Sequence, residues 1–134
     1  MIILFLALLD LNACDFRSWY GLAQAYDLLK LPLHALYYYQ RAATIRPYDG
    51  RMWNALAESF ERVNQVQEAI KCLKRALLSI DEISPDFMGR IAKLYERLYE
   101  QTEKKEYLEV IAYYYRKYLE VRGHLVTFNS LALL

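Results

Sequence analysis

The feature that most restricts what this chain can fold into is an internal copy. Displacing the sequence by 34 residues places Arg17 on Arg51, Trp19 on Trp53, Leu22 on Leu56, Ala23 on Ala57, Tyr26 on Phe60, Ala35 on Ala69, Arg41 on Arg75 and Ala42 on Ala76. Trp19, Leu22, Ala23 and Tyr26 recur at spacings of three and four, which puts them on one stripe of a helix. Ala35, Tyr39 and Ala42 form a second stripe on a second helix. Ala23 and Ala35 are small where two backbones must approach, and Trp19 and Tyr26 fill the space above and below that contact.

A period of 34 residues with Trp, then Leu and Ala, then an aromatic and two small alanines is the signature of the tetratricopeptide repeat, a helix–turn–helix unit. A third, altered copy follows. Met88, Ile91, Ala92 and Tyr95 repeat the first-helix stripe, and Ile111, Tyr115 and Tyr118 the second. Tyr26 to Tyr39 and Phe60 to Leu73 are thirteen residues apart, whereas Tyr95 to Tyr115 is twenty. The seven extra residues fall around "EQTEKKEY", an exposed extension of the turn or an extra helical turn. The predicted fold is all-α: a tetratricopeptide-repeat α-solenoid of about three helix pairs, with a preceding half repeat and a C-terminal tail helix. In residues this single array divides as 1–14, 15–48, 49–83, 84–122 with the expanded turn, and an apolar tail at 123–134.

Helix ends fit the same register. Asp15, Asp49 and Ser84 each precede a first helix, where an N-cap oxygen is wanted. Pro32 and Pro85 suit a first helical turn, which needs no amide donor, and Pro47 ends the first pair where the second has Asp81. Two tyrosine triplets, Tyr37–Tyr39 and Tyr113–Tyr115, sit on second helices. Successive helical residues are about 100° apart, so only Tyr39 and Tyr115 point inward; their predecessors pack on a neighbour or lie half-exposed. The triplets read as packing rather than as a ligand-binding aromatic box.

A net charge of +1, with acids and bases interleaved, argues against nucleic acid or an acidic membrane as the main partner. Cys14 and Cys72 lie in no C-x-x-C pattern and have no His at metal-ligand spacing, so two reduced thiols, no metal and no cofactor are expected. His34 and His124 have no sequence-local catalytic partner, Glu96, Glu100, Glu103 and Glu106 run through a solvated polar stretch, and no glycine-rich phosphate loop exists. No enzyme is expected. Ser84 before Pro85 matches a minimal proline-directed phosphorylation site, which capping also explains.

Binding is the remaining activity. Side chains beside the first-helix stripe face the groove of such an array: Arg17, Tyr20, Gln24 and Asp27 in one copy, Arg51, Asn54, Glu58 and Glu61 in the next. Arg17 and Arg51, one period apart, would present two guanidinium groups to a carboxylate or backbone of an extended peptide. Met1, Phe5 and Leu8 fall on a second-helix stripe, and the tail after Gly123 is apolar, so both ends read as uncapped faces of a longer solenoid or of a subunit contact.

The stretch from Asp15 to Leu77 carries more than the generic repeat. "DFRSWYGLAQAYDLLKLP", "ALYYY", "RPYDGRMW" and "EAIKC" resemble the tetratricopeptide subunit family of the anaphase-promoting complex known as subunit eight, or cell division cycle protein twenty-three. The resemblance covers residues 15 to 122, weaker after Leu77, with Ala23 and Ala57 where that family usually has glycine. It implies a non-catalytic scaffold in a multi-subunit ubiquitin ligase of the nucleus and cytoplasm, acting in mitosis. The implied partners are other subunits of that complex and the coactivator's N-terminal peptide. Only the C-terminal repeats of the family are matched, so its N-terminal dimerisation is not carried over. A rival reading comes from "MIILFLALLDLNAC": the apolar run is too short for a bilayer but resembles a signal core, with Cys14 as the lipidated residue of an exported repeat lipoprotein. Against it, no Lys or Arg precedes the run and Asp10 interrupts it.

Overall fold

A computed structural model describes the backbone of residues 1–79 and 85–132, with side chains for 1–79 and 86–123. Every regular element among the described residues is helical. The chain forms two compact units, Met1–Ser79 and Ile80–Leu134.

The first unit holds α1 (Ile2–Leu11), α2 (Phe16–Leu28), α3 (Pro32–Ile45), α4 (Gly50–Arg62) and α5 (Val66–Leu78), each packed on the next. Asp15 and Asp49 cap α2 and α4 as the sequence predicts, their carboxylates accepting from the amides of Arg17 and Arg51. Pro32 opens α3, and α3 ends at Ile45, before Pro47. The core is the small-and-large stripe: Leu22, Ala23, Ala35 and Ala42 between α2 and α3, Leu56, Ala57, Ala69, Leu73 and Ala76 between α4 and α5. Burying a leucine such as Leu22 or Leu73 is worth about 2 kcal/mol over leaving it in water. The alanines contribute by letting the helix axes close.

The two copies agree beyond the stripe. Trp19 Nε1 donates to the Ala13 carbonyl at 2.8 Å, and Trp53 Nε1 to the Pro47 carbonyl at 2.7 Å, six residues back in each case. Arg41 lies 5.8 Å over the Trp19 ring and Arg75 4.3 Å over the Trp53 ring. The turns match as well: Lys30 (φ 60°) and Asn64 (φ 61°) take the left-handed conformation, and the amides after them return to Tyr26 and Phe60.

In α1 the inward residues are Ile2, Phe5 and Leu9, whereas Met1 and Leu8, expected on the packed stripe, are exposed. The reason is geometric. The face carrying Met1 and Leu8 corresponds to the Ala35 and Ala42 face of α3, which α2 covers; in α1 that face is open. Phe5 instead points onward to α2, where its ring occupies the space a Cβ on Gly21 would take.

The second unit is α6 (Pro85–Thr102) packed on α7 (Glu106–Ala132) around Ile91, Ala92, Leu94 and Leu98. The seven extra residues are absorbed as helix. α6 runs seven residues past Tyr95, where α2 and α4 end two past Tyr26 and Phe60, and α7 begins nine before Tyr115, where α3 begins seven before Tyr39. The C-terminal tail is not a separate helix, because α7 continues through Gly123 to Ala132. One glycine costs a helix about 1 kcal/mol, less than the hydrogen bonds that continue on both sides of it. Ser84 and Asp81 lie outside the described residues, as does the His124 side chain.

Candidate functional site

The tyrosine triplets have one geometry, used twice. Tyr37 and Tyr113 stand edge-on to Tyr38 and Tyr114 at 5.2 Å. Tyr38 stacks on Tyr26 at 5.2 Å and Tyr114 on Tyr95 at 5.9 Å, so the middle tyrosine packs within its own helix pair. The third is polar as well as packed: Tyr39 Oη donates to Asp27 Oδ2 and Tyr115 Oη to Glu96 Oε1, both at 2.8 Å. Leu73 takes this place in the intervening repeat. Burial, and then the Asp27 carboxylate, push the Tyr39 phenol well above its ordinary pKa. Tyr115 is raised first by its bond to Glu96 and then by burial.

The Tyr39–Asp27 bond sits in the wall of a cleft of about 690 Å³ between α2 and α4. Asp27 also receives Arg62 Nη1 at 2.9 Å, and Glu58 lies 3.9 Å from the other guanidinium nitrogen. Two carboxylates thus face one guanidinium, and the other walls are apolar: Met1, Phe5, Leu28 and Ala55. Tyr20 stands edge-on to Tyr39 at 5.6 Å and, with Gln24, completes the lining.

No protein-family model matches the chain, and no curated protein sequence matches it. Solved structures do. MamA from Desulfovibrio magneticus RS-1, solved from residue 41 to its end, has a TM-score of 0.72 at 17% identity, over 92% of this chain and 65% of that one. YrrB, described as a TPR protein with an unusual peptide-binding site, has a TM-score of 0.66 at 14% identity, over 89% and 57%. A further MamA structure has a TM-score of 0.65 at 16% identity, over 95% and 84%. The fold is that of a tetratricopeptide-repeat protein. This chain spans less than two thirds of the length of the first MamA structure and of YrrB.

Of the groove residues expected for a tetratricopeptide-repeat array, the structure brings Tyr20, Gln24, Asp27 and Glu58 to one cleft. Arg17, Arg51, Asn54 and Glu61 do not line it. Arg51 turns back on its own N-cap, with Nε and Nη2 at 3.2 and 3.0 Å from the two Asp49 oxygens. That contact pulls the Asp49 carboxyl below its ordinary pKa. Arg17 is exposed, 5.8 Å from the Phe16 ring. The expected guanidinium pair on the groove is therefore not formed: both arginines lie in the first turn of their helices, where the nearest acid or aromatic is local. Sequence reasoning missed Arg62, Met1 and Phe5. The signal for Arg62 was its i,i+4 spacing from Glu58; Phe5 was placed on a stripe without its target, Gly21.

A second cleft of about 530 Å³ opens between α3 and α5 with α4 as its floor. Among the described residues no group of three or more His, Cys, Asp or Glu side chains could hold a metal ion, and no helix is long and apolar enough to cross a membrane.

Proposed function

We propose that this chain is a non-catalytic protein-interaction scaffold whose α2–α4 cleft holds an extended peptide carrying a basic side chain. The observation that carries this reading is the Tyr39–Asp27–Arg62–Glu58 network. It leaves one formal negative charge beside the apolar walls supplied by Phe5, Leu28 and Ala55. The Arg62–Asp27 pair is half-exposed on its arginine side and worth only about 0.5 kcal/mol, so an incoming cation can compete for the carboxylates. The test is fluorescence polarisation with a labelled peptide of alternating Lys and Leu. Binding weakened by salt and by Glu58→Lys supports the reading, and equal affinity for a Gln/Leu peptide overturns it.

The finer reading is a scaffold segment of the anaphase-promoting complex, contacting its other subunits and a coactivator peptide. Its support is the family-like stretch from Asp15 to Leu77. Affinity purification from the source cells is then expected to recover other ligase subunits, and recovery of none at normal expression removes it. The exported lipoprotein reading keeps one favourable observation, an exposed Cys14 in the turn before α2. Against it, Phe5 of the would-be leader is seated on Gly21. An intact mass beginning at a lipid-modified Cys14 decides for export, and a mass retaining Met1–Ala13 decides against it.

A further inference from the structure

We propose that the cleft between α3 and α5 is a second binding site, one that takes an acidic peptide segment. Its rim carries Arg41 from α3 and Lys71 and Arg75 from α5, against a single carboxylate, Glu68. Three cations to one anion is a local excess in a chain whose total charge is +1. A cleft lined by one sign of charge over apolar walls concentrates ligands of the other sign.

The arginines are held for this task. Arg75 lies 4.3 Å over the Trp53 ring, and Arg41 lies 5.8 Å over Trp19 and 5.6 Å over Tyr37. Packing against an aromatic ring uses up none of a guanidinium's N–H donors, and Arg41 gives only Nε, to Tyr37 Oη at 3.4 Å, so both arginines keep terminal N–H groups for a carboxylate. Among the described residues neither Arg41 nor Arg75 forms a salt bridge. Lys71 is paired to Glu68 at 3.1 Å, but that side chain is 71% exposed, and such surface pairs open at a cost of about 0.5 kcal/mol. Below the cations lie Leu56 and Phe60, an apolar floor for a side chain adjacent to the carboxylates. Because Arg41 and Arg75 are one period apart, consecutive repeats offer equivalent anion contacts. The periodic guanidinium pair expected at Arg17 and Arg51 thus exists on the opposite helices.

The site is tested by fluorescence polarisation with a fluorescein-labelled peptide of alternating Glu and Leu, on the chain with both tryptophans in place. The expected result is saturable binding that weakens with salt and falls about tenfold or more in Arg41→Glu and Arg75→Glu. Lys71→Glu, at an exposed position, gives the same direction of change and keeps the test alive should Arg75→Glu unfold. Lys105→Glu, which alters net charge equally on the α6–α7 turn, leaves binding unchanged. A Glu/Leu peptide that binds no better than a Gln/Leu peptide overturns the proposal, as does a loss in Lys105→Glu equal to that in Lys71→Glu.

Discussion

Tyr39 donates its phenolic hydrogen to Asp27 across the α2–α3 pair at 2.8 Å, and the same carboxylate receives Arg62 from α4. One buried phenol therefore ties a helix pair together and fixes the charge of the α2–α4 cleft. Tyr39→Phe is expected to cost about 1.5–3 kcal/mol in urea denaturation at pH 8, the range for a hydrogen bond to a charged group. The folded phenol holds its proton above the pKa of about 10 that it has when unfolded. Its contribution is then complete below pH of about 10 and is lost as pH rises toward the folded value. The gap between wild type and Tyr39→Phe should narrow by pH of about 11. Tyr115→Phe, at a half-buried site, should cost less.

Gly21 and Gly89 both lie inside helices, where alanine is ordinarily better by about 0.5–1 kcal/mol. At Gly21 the added Cβ would enter the Phe5 ring, and at Gly89 it would meet Tyr118 at an ordinary 3.5 Å. Gly21→Ala is expected to destabilise by about 1–3 kcal/mol through overpacking. Gly89→Ala should stabilise. Combining Gly21→Ala with Phe5→Ala should recover part of the loss, which a double-mutant cycle reads directly.

Each repeat corrects a flaw of the other. Lys30 occupies a left-handed position that its counterpart fills with Asn64, and Lys30→Gly should raise stability by about 1 kcal/mol. Ser59 Oγ is fully buried and finds no hydrogen-bond partner among the described residues, while the corresponding residue of the first copy is Ala25. Ser59→Ala should stabilise by about 1 kcal/mol, since an unsatisfied hydroxyl is removed. Both shifts are measurable as midpoints of chemical denaturation; a loss of stability in either variant would refute the equivalence drawn between the turns or between the helix positions.

The two thiols should differ sharply in reactivity. Cys72 is buried beside Leu73, and burial with the Glu68 carboxylate pushes its pKa up to about 11. Cys14 is exposed. Thiolate is the reactive form, so iodoacetamide at pH 8 should modify Cys14 promptly and Cys72 only after denaturant is added, as followed by intact mass.

The cleft was half legible in the sequence. Tyr20, Gln24, Asp27 and Glu58 follow from helical phase alone, since residues beside a buried stripe share a face. Arg17 and Arg51 share that phase but sit in first turns, where Asp49 recaptures Arg51. Arg62 has a local signal in its i,i+4 spacing from Glu58, but its closer partner, Asp27, is 35 residues away. No spacing rule within one helix exposes such a pair.

The order of amino acids alone determined the period, the helix pairs, the aspartate caps and the alanine contacts, because each depends on neighbours within a turn or on an exact recurrence of side-chain size. Only the packed chain decided which carboxylate each inward tyrosine would meet, that α1 turns Phe5 rather than Leu8 to its neighbour, and that the extra residues of the last pair lengthen its helices. Those outcomes depend on which surfaces are left to cover once the helices are side by side. The same step set Arg41 against Trp19 of α2 and Arg75 against Trp53 of α4, contacts between helices that the 34-residue spacing of the two arginines does not state.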